Sequence, residues 1–219
     1  MFIIIVGAGG IGETLVDKIL KEDNHNILVV DKDIENCEKI AQKYDVVVIN
    51  GDATQSDVLD ECEIERADVI VTTTDDDSVN LMAISLAKNK GIKHLVSIVN
   101  QEESIPLYVE KGVKLVRDPD IVMAMQLKKA IDHPSIEDFI NIGNEAEIIT
   151  FTIDSNSAIS DAIIQDIQMP EHSLILSIIR DDKLFIPTND GKLYFGDKIT
   201  ILTQCKLVDE VVKVFSPKI

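Results

Sequence analysis

Phe2-Ile3-Ile4-Ile5-Val6-Gly7-Ala8-Gly9-Gly10-Ile11-Gly12, residues 2–12, decides the fold: an apolar run of five passes straight into G-x-G-x-x-G. A second apolar run, Ile27-Leu28-Val29-Val30, ends on Asp31, 19 positions after the last glycine. Alone, the glycine motif is weak. Here it follows a strand pattern, opens a helix pattern and has an acidic residue at the spacing of the dinucleotide fingerprint. The first glycine permits the tight strand-to-helix turn, the second lets backbone approach a pyrophosphate, and the third lets helix pack on strand. The N–H groups that begin the helix then face the phosphates.

Up to about Arg117 the same alternation continues. Strands are expected at Phe2–Val6, Ile27–Asp31, Val46–Asn50, Asp68–Thr72, His94–Val99 and Lys114–Val116, all rich in Val and Ile and nearly continuous in apolar character. That is the pattern of strands covered on both faces. Helices are expected at Ile11–Glu22, Ile34–Lys43, Ser56–Cys62, Ser78–Lys90 and Ser104–Lys111, with Gly91 and Gly112 just past two of them. Six β–α repeats imply a parallel, doubly wound, Rossmann-like sheet with right-handed crossovers.

Asp118-Pro119 reads as a helix start, with Asp118 as N-cap. The helix it opens, Ile121–Ile131, is apolar on more than one side and includes Met123 and Met125. A surface helix needs one apolar stripe, so this one meets another chain or domain, or else is a final core helix. His133-Pro134 ends it, and Ser135–Ile142 resembles a short further helix. Beyond Asn144 the pattern becomes strands at Ile148–Ile153, Leu174–Ile179, Lys183–Ile186 and Lys198–Leu202. A short helical stretch is expected at Ile159–Ile164 and a closing helix at Val208–Val214, with hairpin-type turns at Arg180–Lys183 and Asn189–Gly191. The expected organisation is a nucleotide-binding domain over 1–132, a linker with a short helix over 133–144, and a small α+β domain over 145–219.

Composition removes several functions. The 219 residues carry a net charge of −18, which opposes the cationic neutralisation of phosphate that nucleic-acid binding needs. No apolar run reaches the ~20 residues of a membrane span, and FIIIV is too short for a signal-peptide core, so the chain is expected in the cytoplasm. Cys37, Cys62 and Cys205 are odd in number and widely spaced, which disfavours disulfides and a zinc site.

A binding constellation gathers at the carboxyl ends of the strands, where ligands sit in such sheets. Its members are Gly7, Ala8, Gly9, Gly10, Ile11 and Gly12, then Asp31 with Lys32, then Gly51, Asp52, Ala53 and Thr54, then Thr73, Thr74 and Asp75. Asp31 suits two ribose hydroxyls and would repel a 2′-phosphate, so NAD(H) or an adenine nucleotide is favoured over NADP. Catalytic residues are not evident. A dehydrogenase needs a positioned acid or base, and His25, His94, His133 and His172 all fall away from this edge. The pattern is that of a nucleotide sensor, with a soluble NAD-dependent oxidoreductase as the alternative.

The runs GAGGIG, VVDKD, VVVINGDATQSDVL and ADVIVTTTDDDSVNLMAISLAK resemble the regulatory RCK (KTN) domain of TrkA-type potassium-uptake proteins. That family shows G-x-G-x-x-G, I-D-x-D, G-D-A/G-T/S and T-x-x-D-x-x-N, matching Gly7–Gly12, Val30–Asp33, Gly51–Thr54 and Thr74–Asn80. Asp118-Pro119 resembles the start of the family's subunit-crossing helix. LSIIRDDKLFIPTNDGKLYFGDKITIL resembles its small C-terminal domain. The resemblance implies a homo-oligomer, a dimer assembling to a tetrameric or octameric ring. This ring would lie at the inner face of the membrane beneath a TrkH-type potassium-transporter subunit and gate it by binding nucleotide. An antiporter or channel is the alternative client.

Two departures bear on the ligand. Ile98 stands in Ser97-Ile98-Val99-Asn100 where relatives often carry arginine, and Gly10 stands where some carry arginine in the glycine loop. Both disfavour ATP and leave NAD(H) first, with ADP or AMP next. In the second domain Ser160-Asp161 replaces a common Gly-Lys.

Overall fold

The computed structural model describes residues 1–22, 25–117, 119–143, 145–157 and 159–215. Two compact units divide it, Met1–Val122 and Met123–Ile219. The Asp118 N-cap expectation lies outside the described residues.

In the first unit β1 (Phe2–Val6), β2 (Asn26–Asp31), β3 (Val47–Asn50), β4 (Val69–Thr72), β5 (His94–Val99) and β6 (Lys114–Arg117) form one sheet ordered β3-β2-β1-β4-β5-β6. Every neighbouring pair is parallel. The helices between them are α1 (Gly10–Glu22), α2 (Ile34–Lys43), α3 (Ser56–Glu61), α4 (Asp77–Asn89) and α5 (Ile105–Glu110). All six expected strands and five expected helices are present, with ends shifted by one residue or two. Alternation within strands explains the unbroken apolar runs. Ile3, Ile5, Ile27 and Val29 bury on one face with Val16 and Ile40, whereas Ile4, Val6, Leu28 and Val30 bury on the other with Leu59, Ile70, Ala83 and Ile84. A strand covered on both faces has no room for a polar residue. The strand order reverses between β1 and β4, and the crevice there is the binding place of such sheets.

α6 (Pro119–Asp132) follows. None of its described residues is buried, and Ile121, Val122, Met123, Met125, Leu127 and Ile131 are exposed. It is therefore not a final core helix.

The second unit holds β7 (Asp138–Ile142), β8 (Ala146–Thr152), β9 (Leu174–Arg180), β10 (Lys183–Phe185) and β11 (Lys198–Gln204), with α7 (Val208–Phe215). Its sheet is antiparallel, ordered β10-β9-β11-β8-β7. The expected helix over Ser135–Ile142 is not formed. Asp138–Ile142 is a strand paired with β8, so the second sheet starts ahead of residue 145. Phe139, Ile140 and Ile142 have strand propensity, and Gly143 at φ +61 turns the chain back so that the pairing decides the conformation. Nor is Ile159–Ile164 helical: it is turns, an isolated bridge from Ile163 to Lys192, and a 3-10 turn starting at Ile164. The turn at Asn189–Gly191 pairs with this segment, Gly191 accepting from the Ile164 N–H, rather than closing a hairpin of two strands. The other turn is a true hairpin, with Asp181 and Asp182 at φ 49 and 58 between paired Arg180 and Lys183.

One sheet face carries the core. Ile199, Ile201 and Thr203 alternate inward along β11, and Phe151 stacks on Phe215 of α7 with ring centroids 5.8 Å apart. Asp197 is fully buried. It accepts two bonds of 2.7 Å from the Arg180 guanidinium and one from the Tyr194 N–H. The Arg180 side chain is 33% exposed and lies over the Tyr194 ring, which lowers the cost of holding the pair. Among the described residues no helix is long and apolar enough to cross a membrane.

Removing the arginine strands a buried charge. Because the guanidinium is partly solvated, Arg180→Ala should destabilise the second unit by about 2–3 kcal/mol, at or just below the foot of the range for a broken buried pair. Urea unfolding checks this; a loss below about 0.5 kcal/mol would mean that Asp197 is adequately solvated by other groups.

Candidate functional site

The turn from β1 into α1 is fixed by backbone crowding. Gly7 takes φ +102, and a Cβ there would lie 2.9 Å from the Thr73 hydroxyl oxygen. At Gly12 a Cβ would overlap the Gly7 carbonyl oxygen. These two glycines are required by packing. Gly9 and Gly10 differ: a Cβ at either meets nothing within 4 Å. Among the described residues nothing calls for bare backbone there, and both positions line the cavity described below.

Asp31, at the end of β2, is held by two amides. Its Oδ2 accepts from Ala8 N–H at 2.6 Å and its Oδ1 from Asp33 N–H at 2.8 Å. Each oxygen retains acceptor capacity, so a carboxylate already fixed in place can still take ribose hydroxyls. Its carbonyl accepts from Gly51 N–H at 2.9 Å and the Asn50 amide at 3.0 Å, tying the third strand's turn to the second's. In that turn Asp52 accepts from the Thr54 hydroxyl at 2.7 Å and its N–H at 2.9 Å, and chiefly the hydroxyl holds the Asp52 carboxyl below the usual range.

On the other side of the switch point, the Thr73 hydroxyl donates to the carbonyls of Val6 and Gly7 at 3.1 and 3.0 Å. Thr74 is locked to the fully buried Asn80 through three bonds: hydroxyl and N–H to Asn80 Oδ1, and Asn80 Nδ2 to the Thr74 carbonyl. Asp76 caps α4 by accepting from the N–H groups of Ser78 and Val79, which lower its carboxyl in that order. Asp77 accepts from both nitrogens of Asn100 and from Gln101 N–H, fastening the end of β5 to the start of α4. Thr72 and Ser97 share a buried hydroxyl–hydroxyl bond of 2.7 Å beneath them.

Around these turns lies a cavity of about 560 Å³, within the range of small-molecule sites. Of the residues singled out from sequence, Gly7, Gly9, Gly10, Ile11, Asp31, Lys32, Gly51, Asp52, Ala53, Thr73, Thr74 and Asp75 line it. Ala8, Gly12 and Thr54 do not. Ala8 orients Asp31, Gly12 underlies the turn, and Thr54 is spent on Asp52.

Sequence reasoning missed Asp33, Asn36, Asp76, Val79, Asn100, Pro119 and Asp120, which line the same cavity. Asp33 and Asp76 could have been found as N-caps, since each immediately precedes a helix and accepts from its first turn. Asn100 and Asp120 carry no local signal; only the sheet order brings them here. Ile98, noted as a replaced arginine, lines the cavity as an apolar surface. Among the described lining residues Lys32 is the one cation, against six aspartates.

Comparison with known proteins places this geometry. Residues 3–119 match the model of the TrkA-N domain and residues 148–216 that of the TrkA-C domain. A relative from Archaeoglobus fulgidus, a "Trk system potassium uptake protein TrkA homolog", is 29% identical over 100% of this chain and 51% of its own length. One of the same description from Methanothermobacter thermautotrophicus is 28% identical over 99% of this chain and 100% of its own. The chain thus spans about half the length of the Archaeoglobus relative. A solved structure, "GsuK channel bound to NAD", shares the fold with a TM-score of 0.63 at 15% identity, over 100% of this chain and 40% of that one.

The glycines separate by thermal melting. Gly12→Ala, which forces backbone apart, should cost about 3 kcal/mol, whereas Gly9→Ala should melt within about 0.5 kcal/mol of the parent. Equal losses in the two variants would mean that Gly9 too serves packing.

Proposed function

The chain belongs to the TrkA-N domain family, with a TrkA-C domain following, and from that premise we propose that it is a non-enzymatic regulatory subunit. It binds a nucleotide, NAD(H) ahead of ADP or AMP, and gates a separate membrane potassium transporter of the TrkH type. The observation that carries the reading is the turn at Gly7–Gly12, where Gly9 and Gly10 leave backbone open to the cavity. α1 starts at Gly10 at that turn, so its unpaired N–H groups supply the anion-binding end for a pyrophosphate. Asp31 takes the adenosine ribose hydroxyls. Gly51–Ala53 and the small residues of their turn lie beside it for the adenine.

Regulation rather than turnover is supported by what lines the cavity. Aspartates that cap helices or bind amides are fixed as acceptors, and no histidine, cysteine or tyrosine is among the lining residues described. A hydride-transfer enzyme would need such a group beside the reacting carbon. Gating requires that nucleotide bind one conformation better than another; tenfold discrimination corresponds to about 1.4 kcal/mol.

The exposed apolar residues of α6 support an oligomer. Isolated, that helix would leave Val122, Met123, Met125 and Leu127 in water, whereas a second subunit laid on it removes them. The TrkA-C unit then belongs to the same ring, and the ring acts at the cytoplasmic face through its membrane partner.

Asp31→Ala should weaken NADH binding by about 1–3 kcal/mol in calorimetry, the scale of hydrogen bonds to a charged group. An unchanged affinity would remove Asp31 from the ribose site. Turnover of NAD(H) with any small metabolite at about 1 s⁻¹ or above would replace the regulatory reading by an enzymatic one. Met123→Glu with Met125→Glu should dissociate the oligomer in light scattering, and an unchanged mass would place these residues outside the interface.

A further inference from the structure

The second sheet ends on two unlike edges. β10, at one of them, is three residues long, carries Lys183 and has Pro187 two residues past its end. Shortness, lysine and proline are the means by which a sheet edge is kept from pairing with another chain. β7, at the other edge, has none of them. It runs for five residues, DFINI, in unbroken register with β8, and among the described residues it pairs with no other strand. An edge strand of this kind holds its outward N–H and C=O groups ready for a further strand.

Charge favours the same edge. Asp138 is the one ionisable residue of β7, and Lys198 Nζ lies 3.6 Å from its carboxylate. In a chain of net charge −18, two copies can therefore approach here without opposing uncompensated carboxylates. The side chains agree with this. Phe139 packs against the core, whereas Ile140 and Ile142, alternating to the other face, are 63% and 48% exposed. Ile140 also heads an apolar row that crosses the sheet in register, through Ile148 and Leu202 to Leu174.

We propose that β7 is a self-pairing edge, to which β7 of a second copy adds antiparallel about a twofold axis at Ile140. Centred there, all five residues pair. Asp138 faces Ile142 of the second copy, and Ile140 faces its own counterpart, so that two apolar rows run on as one. Such a contact is self-complementary and closes on itself. The proposal rests on the homo-oligomer reading given above and adds a second contact to that of α6. A five-residue edge buries less than the roughly 800 Å² per partner of a stable interface, so it reinforces an assembly that α6 already brings together.

Cysteine cross-linking of the full chain in a Cys205→Ser background tests it, since Cys37 and Cys62 are buried. Directly opposed residues on antiparallel strands have Cα atoms about 4.5–5.5 Å apart, within reach of a disulfide. Under mild oxidation Ile140→Cys should give a covalent dimer, at a yield that dilution does not lower. Leu184→Cys, on the blocked edge and as exposed at 65%, should give severalfold less. Ile140→Lys, which sets two ammonium groups face to face, should lower the mass of the assembly in light scattering to half or less. Equal cross-linking at the two positions, or an unchanged mass in Ile140→Lys, overturns the assignment. If the parent is oligomeric but Ile140→Cys runs as single chains on non-reducing gels, the β7 contact alone fails. If the parent itself has the mass of one chain, the oligomer reading fails with it.

Discussion

Backbone contact at one turn constrains everything that follows from β1. Gly12 presses against the Gly7 carbonyl, and Gly7, at positive φ, leaves no space for a side chain beside Thr73. Only with both positions bare can α1 leave the sheet so abruptly and aim its N-terminal amides at the crevice between β1 and β4. The same turn places Ala8 N–H on Asp31, so one short segment fixes both the start of α1 and the carboxylate at the end of β2. Thr73 closes the arrangement by donating to the carbonyls on either side of the bend.

Around that turn the buried polar groups hold one another in place. Asn80, fully buried, holds the Thr74 turn by three hydrogen bonds, and Asp77 holds Asn100 and Gln101. A buried network of this kind is costly when broken and specifies a single conformation when complete. Pre-organised acceptors lose little entropy when a ligand arrives.

Much of this was legible in the sequence for a physical reason: the first unit is built from local signals. Short Val/Ile-rich runs closed by turn residues read as two-faced strands, and the glycine spacing encodes a steric requirement that the structure contains at Gly7 and Gly12. The second unit was less legible. Asp138–Ile142 carries a pattern that fits helix or strand, and its pairing with β8 settled the matter. Ile159–Ile164 has helical spacing, yet its backbone bonds go to Gly191 and Leu193 across the sheet. The far wall of the cavity was illegible for a different reason. Asn100 and Asp120 reach it through the order of strands, which no local pattern reports. The excess of apolar residues in α6 left open whether it joins the core, and only the burial of each side chain decided that it does not.

Amide hydrogen exchange with and without saturating NAD⁺ tests the central claim, that the glycine turn holds a nucleotide, most directly. Protection should rise at residues 9–11, 31–33 and 73–76, where cavity-lining backbone meets the ligand, with little change along β8 and β11. Protection confined to the second unit, or none at residues 9–11, would contradict it.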